Sequence, residues 1–196
     1  MKLFAFALAL VPLMAASLEV DKAKSLGNPS APLRIEIYSD FQCPACKTFH
    51  EQVLPELMKN YVVPGKVYVV NHEFPLPMHP YSREAAGYAT ASAHIGRYQQ
   101  VADSLFSAQN TWGATGKVWD TVATALTPTE QKKVLSLVKE PGVAAEIQQD
   151  VDLGRMAQIN ETPTLIVFKA SKKYPFPGPN PGNLFLLKSL IDGLLK

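Results

Sequence analysis

The sequence predicts an α/β fold in which a long block of helices interrupts the strands. Apolar residues alternate in one short segment near the start, a second segment is rich in valine and tyrosine, and apolar residues recur densely in one near the end, which indicates strands. Between them, over 75–160, the apolar spacing is helical for about 85 residues. The predicted order is therefore strand, helix, strand, helical block, strand, at most one edge strand, and helix.

The first 17 residues predict a secretory signal peptide. Lys2 gives a positive start, the run over 3–14 is almost wholly apolar, and 15–17 offers a small-residue cleavage site. This run is shorter than the roughly 20 residues that a membrane-spanning helix needs. An uncleaved N-terminal anchor or a buried strand is the alternative. We therefore expect a periplasmic or secreted protein.

Composition and charge indicate one globular domain without a nucleic-acid partner. Removing residues 1–17 takes away Lys2 and no acid, so the formal net charge of +2 falls by one to +1. A nearly neutral chain offers no basic surface for nucleic acid or anionic lipid. The remaining length, about 180 residues, suits one domain with a sizeable core. We expect a monomer.

The first part of the core is expected over 33–74, after an N-terminal loop over 18–32. Alternation over 33–38 predicts a strand, and the valine-rich segment 66–70 predicts another. Between them, a helix over 43–60 is expected to contain a kink at Pro55. Four of its residues recur at helical spacing and are expected to face the core: Cys46, Phe49, Val53 and Leu57.

The helical insertion is expected over 75–160, and the second part of the core over 161–196. Helices are predicted over 82–95, 98–107, 118–126, 128–139 and 143–158, with a loop over 112–116. Thr127 and Glu130 form a capping-box pattern at the start of the fourth helix. Residues 164–169 predict a strand, the proline-rich segment 172–182 allows a short edge strand, and Asn183 is expected to cap a helix that ends at 195.

Cys43 and Cys46 are the two cysteines of the chain. Two cysteines scattered at random over this length would lie three positions apart in roughly 1% of cases. A disulfide that closes so small a loop restricts little unfolded-chain entropy, so it stabilises the fold weakly. The spacing therefore favours redox chemistry over a structural role.

The predicted helix start gives the two cysteines different roles. Cys43 lies where unpaired N–H groups and the helix dipole favour a thiolate, the reactive form of cysteine. Cys46 lies one turn further along the core-facing stripe. Pro44 suits the first helical turn, and Ala45 completes the motif. We expect Cys43 to exchange disulfides with a substrate and Cys46 to resolve the mixed disulfide.

A metal site is the alternative for this dithiol. Zinc needs four ligands, and four histidines could supply the other two: His50, His72, His79 and His94. No two of them have ligand spacing, and we interpret His50 as part of a solvated helix face and His79 as structural. We expect no metal and no cofactor.

The motifs around the dithiol resemble the DsbA-like branch of the thioredoxin-fold proteins. The resemblance runs from about residue 30 to the end and depends on four segments: Asp40-Phe41-Gln42-Cys43-Pro44-Ala45-Cys46, Val53-Leu54-Pro55, Glu73-Phe74-Pro75-Leu76 with His79, and Thr162-Pro163-Thr164. It implies a thioredoxin-like fold with an all-helical insertion between the second and third core strands. It also implies that Pro163 is a cis-proline facing the dithiol, and that Thr162 and Pro163 present a backbone edge to a substrate peptide.

Two features depart from this resemblance. Related proteins often carry a buried carboxylate six positions before the first cysteine, where this chain has Ile37. Glu36 is adjacent, but alternation directs it to the other face, so the proton acceptor for Cys46 is unassigned. The edge around 174–177 is also richer in proline than the fourth strand of the family.

The sequence thus predicts an exported thiol–disulfide oxidoreductase that forms disulfides in protein or peptide substrates and exchanges electrons with a membrane redox partner. One alternative is a reductase or isomerase of the same fold. The other is a module that binds a metal or peptides without redox turnover.

Overall fold

The structure is a computed structural model that describes residues 22–196. The signal peptide predicted over 1–17 lies outside the described residues. Within 22–196, none of the helices is long and apolar enough to span a bilayer.

A mixed five-stranded sheet forms the centre of the protein. Its strands are β1 (Ser25–Leu26), β2 (Leu33–Ser39), β3 (Val67–Glu73), β4 (Thr164–Lys169) and β5 (Lys172–Pro177). Their order across the sheet is β1-β3-β2-β4-β5. β2 and β3 are parallel, and every other neighbouring pair is antiparallel. Parallel strands need a crossover connection, which the dithiol helix supplies here.

Strand β1 corrects the loop predicted over 18–32. Ser25 and Leu26 pair antiparallel with Val70 and Val69 at the edge of β3. The carbonyl of Lys24 also accepts hydrogen bonds from the backbone and side chain of Asn71. These partners lie more than forty positions along the chain, so local composition did not reveal the strand.

The dithiol helix α1 extends over 44–62 in four consecutive segments. An α-helical segment (Pro44–Thr48) is followed by a π-helical one (Phe49–Val53), then α (Leu54–Leu57) and π (Met58–Val62). Pro55 lies in the first turn of the second α segment, where its missing N–H matters least. At the position of the predicted kink, the helix changes from the π-helical to the second α-helical segment.

The predicted helical insertion between the second and third core strands is confirmed. It comprises α2 (Ser82–Ala93), α3 (Tyr98–Ser107), α4 (Gln109–Thr115), α5 (Val118–Thr124), α6 (Pro128–Leu137) and α7 (Pro141–Met156). The predicted capping box of Thr127 and Glu130 begins α6.

Helix α4 corrects the loop predicted over 112–116. The Trp112 side chain is fully buried, and its indole N–H donates to the carbonyl of Leu105 at 2.7 Å. Gly116 then ends the helix with φ +73°, a conformation that glycine adopts without a steric penalty. Gly113 lies inside the helix, so it did not mark a loop.

The C-terminal part contains the short edge strand that the sequence allows, β5, and a final helix α8 (Leu184–Leu195). Asn183 occupies the position before α8, but its side chain does not cap the helix. Instead, its amide donates to the carbonyl of Gly178 and its oxygen accepts from the N–H of Asn180. The predicted cap is therefore wrong, because Asn183 closes the preceding loop.

Three apolar clusters support the sheet and the insertion. Helices α1 and α8 cover one face of the sheet, where Ile37, Phe49 and Leu187 are buried together. Helix α7 covers the other face through Val151, against Tyr38 and other residues. The third cluster fills the helical insertion and includes both cysteines. The dithiol thus lies where the sheet and the insertion meet.

Candidate active site

Cys43 and Cys46 form the centre of the site, and both are free thiols in this structure. Cys43 occupies the N-cap position of α1 with an extended backbone, as the predicted helix start requires. Its exposed fraction is 8%, whereas that of Cys46 is 0%. Cys43 is therefore the sulfur that an incoming thiol can approach.

Hydrogen bonding makes Cys43 acidic. Its pKa is lowered from 9.0 to about 5, chiefly by a hydrogen bond from the Cys46 thiol. Burial opposes this change, while the Thr162 side chain and the backbone N–H groups of Cys46 and Ala45 add to it. Cys43 is consequently almost fully ionised at pH 7.

Cys46 has the opposite behaviour. Burial raises its pKa well above the ordinary value, and the neighbouring Cys43 sulfur adds to the effect. The Ser39 hydroxyl and the N–H of Asp40 oppose it, and this N–H donates to Sγ of Cys46 at 3.4 Å. The two sulfurs are thus separated into a thiolate and a thiol.

The loop before β4 faces Cys43. The peptide bond between Thr162 and Pro163 is cis, as the sequence resemblance implied. Sγ of Cys43 lies 3.4 Å from the carbonyl oxygen of Thr162, which accepts from it while it is protonated. The Thr162 hydroxyl is buried and has no hydrogen-bond partner within the described residues in that state, so it can donate once the sulfur is charged.

Asp40 organises the loops behind the dithiol, a role that sequence reasoning missed. Its buried carboxylate accepts from four groups: the N–H of Gln42 at 2.7 Å, the N–H of Leu76 at 2.7 Å, the His79 ring at 2.8 Å and the Ser82 hydroxyl at 2.6 Å. This contact agrees with the structural interpretation of His79. Asp40 belongs to the motif that carries the family resemblance, which was the available signal.

Two glutamines attach the insertion to the dithiol turn. The Gln109 amide is buried and donates to the carbonyls of Phe41 and Cys43 at 2.7 and 2.9 Å. The Gln42 amide donates to the carbonyl of Gly113 and accepts from the N–H of Tyr81. Gln109 lies near the segment predicted as a loop, so its role had no local signal.

Pro44 and Ala45 form the first turn of α1 between the two sulfurs, and their side chains are exposed.

The sequence suggested that His50 lies on a solvated helix face, but the structure places it against the insertion. Its ring lies 2.8 Å from the Asp103 carboxylate and stacks on Phe106 in the insertion. Among residues 22–196, no three His, Cys, Asp or Glu side chains are grouped as metal ligands.

Ile37 and Glu36 keep the positions predicted from alternation. Ile37 is buried in the cluster beneath α1, whereas Glu36 lies on the opposite face. There Glu36 pairs with Arg34 at 2.8 Å and accepts from the Tyr38 hydroxyl.

A buried polar cluster lies beside the site at the end of β3. Lys24 and Asp150 form an ion pair, and the Asp150 carboxylate also contacts the His72 ring and the N–H of Glu73. The Glu73 side chain accepts from the Tyr98 hydroxyl at 2.8 Å. Burial raises the pKa of Glu73 to about 7, although Lys24 opposes the change. The cluster joins strand β1 to the sheet and to the insertion.

A dithiol at a helix N-terminus, facing a cis-proline loop beside a mixed sheet, defines the class of thioredoxin-like dithiol proteins. The chain belongs to the thioredoxin family, whose model, described as "Thioredoxin", matches residues 19–171.

Several proteins with related sequences are named for disulfide bond formation. The chain is 24% identical over 153 residues to "Disulfide bond formation protein D" of Bacillus subtilis. This match covers 72% of this chain and 66% of that protein. A 53-residue segment is 43% identical to "Probable disulfide bond formation protein D" of Bacillus cereus. That match covers 26% of this chain and 24% of the relative, so the chain spans only part of the relatives it matches.

The fold is shared with solved DsbA structures. The alpha-DsbA1 structure of Wolbachia pipientis superposes with a TM-score of 0.70 at 20% identity, covering 88% of this chain and 90% of that one. The predicted thioredoxin-like fold with its helical insertion is therefore confirmed.

Proposed function

We propose that this chain is a protein thiol–disulfide oxidoreductase that works in the oxidising direction through Cys43 and Cys46. The low pKa of Cys43 beside the high pKa of Cys46 is the observation that carries the proposal. Stabilising the Cys43 thiolate favours the reduced protein, which makes its disulfide a stronger oxidant. The names of the sequence relatives support the same chemistry.

The reaction starts from the Cys43–Cys46 disulfide. A substrate thiolate attacks Sγ of Cys43, the bond between the two cysteines breaks, and Cys46 leaves as a thiolate that takes up a proton. A second substrate thiolate then attacks the substrate sulfur of the mixed disulfide. The substrate disulfide forms, and Cys43 leaves as a thiolate. Two electrons pass from the substrate to the protein.

The acidity of Cys43 favours the second step, because a thiol of low pKa leaves faster in disulfide exchange. Cys43 is also the more exposed sulfur, which favours it as the point of attack. Thr162 and Pro163 hold a backbone edge against this sulfur, where an extended substrate peptide can add as a strand.

The cycle closes when a membrane redox partner with a more oxidising disulfide accepts the two electrons from the reduced dithiol. This partner, the export of the chain, and its periplasmic or secreted location belong to the proposal. Mass spectrometry of the protein recovered from the producing cell tests export, since cleavage after the predicted signal peptide removes residues 1–17.

The equilibrium reduction potential of the Cys43–Cys46 pair in glutathione buffers tests the direction. We expect a value near that of strong oxidants, roughly −120 mV. A value near roughly −270 mV, as for thioredoxin, would assign the chain as a reductase, and an intermediate value with disulfide-shuffling activity would assign an isomerase. The absence of a reversible two-electron transition would sink the redox proposal. Stoichiometric zinc in the reduced protein would favour the binding-module alternative.

A further inference from the structure

We infer that a groove beside the dithiol binds a carboxylate-bearing segment of the substrate peptide, a few residues from the reacting cysteine. The inference rests on the proposed function and adds a substrate preference to it.

The groove has a volume of about 540 Å³. It lies between the loop that follows β3 and the C-terminal turns of α7 with the residues after it. Four apolar side chains and three prolines form most of its lining, and the apolar side chains are those of Phe74, Leu76, Val151 and Ile159. A concave, mostly apolar lining with a few polar groups is typical of ligand-binding sites.

Both permanently charged side chains that line the groove are positive. Arg83 and Arg155 line it, and no Asp or Glu is among its lining residues. Arg83 donates to the neutral side chain of Gln148 at 3.3 Å, so this contact leaves its charge uncompensated. Arg155 pairs with Asp152 at 3.6 Å in a solvent-exposed contact, which holds it weakly. Both guanidinium groups therefore retain N–H donors for a carboxylate on a ligand.

The groove lies next to the site. On one wall, Leu76 and His79 are held by the Asp40 carboxylate, and the N–H of Asp40 contacts Cys46. The other wall ends at Asn160, two residues before Thr162. Because an extended chain spans roughly 3.3 Å per residue, a carboxylate roughly two to four residues from the substrate cysteine can reach this groove. A peptide bound at the cis-proline loop can thus occupy both places.

Dithiol peptides that differ in one residue test the inference with the oxidised full chain. One pair carries glutamate or glutamine three residues before the reacting cysteine, and a second pair carries it three residues after. We expect the glutamate peptide of at least one pair to be oxidised roughly three to ten times faster than its glutamine counterpart at low salt. We also expect the preference to decline as salt is added.

The variant Arg83→Gln/Arg155→Gln should abolish this preference, so that the two peptides of each pair are oxidised at equal rates. The matched control, Lys132→Gln/Lys133→Gln, removes two exposed charges from α6 and should keep the preference. Equal rates within both pairs for the unmodified chain would overturn the inference, as would a preference that survives the double arginine variant.

Binding of redox-inert peptides separates this inference from the proposed function. In these peptides serine replaces each cysteine, so fluorescence anisotropy reports affinity without disulfide exchange. Tighter binding of the glutamate peptide that depends on the two arginines supports the groove, even if no peptide is oxidised. Rapid oxidation of glutamine peptides without any glutamate preference keeps the proposed function and rejects the groove.

Discussion

Sγ of Cys43 lies 3.4 Å from the carbonyl oxygen of Thr162, the residue that precedes the cis-proline. The reactive sulfur is therefore in contact with the backbone edge proposed to bind the substrate. The buried hydroxyl of the same threonine stabilises the charged form of this sulfur. One residue thus links the proposed substrate edge with the acidity of the dithiol.

Replacing Thr162 with valine should raise the pKa of Cys43 from its value of about 5. A hydrogen bond to a charged group contributes about 1.5–3 kcal/mol, which corresponds to roughly one to two pH units. The ultraviolet absorbance of the thiolate in the reduced protein measures this titration. Thr90→Val is the matched control, because Thr90 is also buried with an unpartnered hydroxyl among the described residues. Identical titrations of Cys43 in Thr162→Val and the unmodified protein would contradict the assigned hydrogen bond.

The acidity of Cys43 should make the stability of the reduced protein depend on pH. The pKa in the folded protein, about 5, lies below the ordinary value of 9.0. The unfolded chain therefore binds more protons between these values, so this contribution to stability increases with pH and is lost as pH falls towards 5. We expect urea unfolding of the reduced protein to show this slope, and the slope to be smaller in reduced Cys43→Ser. The same pH dependence of stability in the unmodified protein and in Cys43→Ser would contradict this prediction.

Glu73 should make the stability of the protein depend on pH in the opposite direction. Burial raises its pKa to about 7 from an ordinary 4.5, so the folded protein binds more protons between these values. The contribution of Glu73 to the free energy of unfolding is therefore greatest at low pH. It declines by about 3 kcal/mol as the pH rises through about 7. Glu73→Gln should remove this decline, and the exposed change Glu140→Gln should not. A decline of the same size in Glu73→Gln would show that another group causes it.

Gly154 should tolerate no side chain, although it lies inside helix α7. A Cβ at this position would meet the Phe74 ring at 2.5 Å and the Tyr38 ring at 3.1 Å. Alanine favours helices over glycine by about 1 kcal/mol, but overpacking costs about 1–3 kcal/mol, so we expect Gly154→Ala to destabilise the protein. Gly142→Ala in the same helix, where the added Cβ meets nothing within 4 Å, is the control. A higher unfolding temperature for Gly154→Ala than for Gly142→Ala would refute this packing.

Much of the fold could be predicted from sequence because its signals are local. The alternation of β2, the apolar run of β4 and the capping box of α6 each follow from neighbouring residues. Helix α3 was predicted with its observed bounds for the same reason. Elements whose partners are distant were missed or shortened. Strand β3 extends to Glu73, beyond the predicted 66–70, because Lys24, Asp150 and Tyr98 bury its polar end.

By itself, the sequence determined the dithiol, its place at the start of a helix and its resemblance to the DsbA-like branch. Spacing and local propensity carry this information, and both are properties of neighbouring residues. Only the tertiary structure decided which groups surround the sulfurs. Thr162 contacts Cys43 across 119 positions, and Gln109 reaches the Cys43 carbonyl across 66. The acidity of Cys43 arises from hydrogen bonds made by Cys46, Thr162 and nearby backbone N–H groups, against the opposing effect of burial. Hydrogen bonds and desolvation both depend on atoms that only folding brings together.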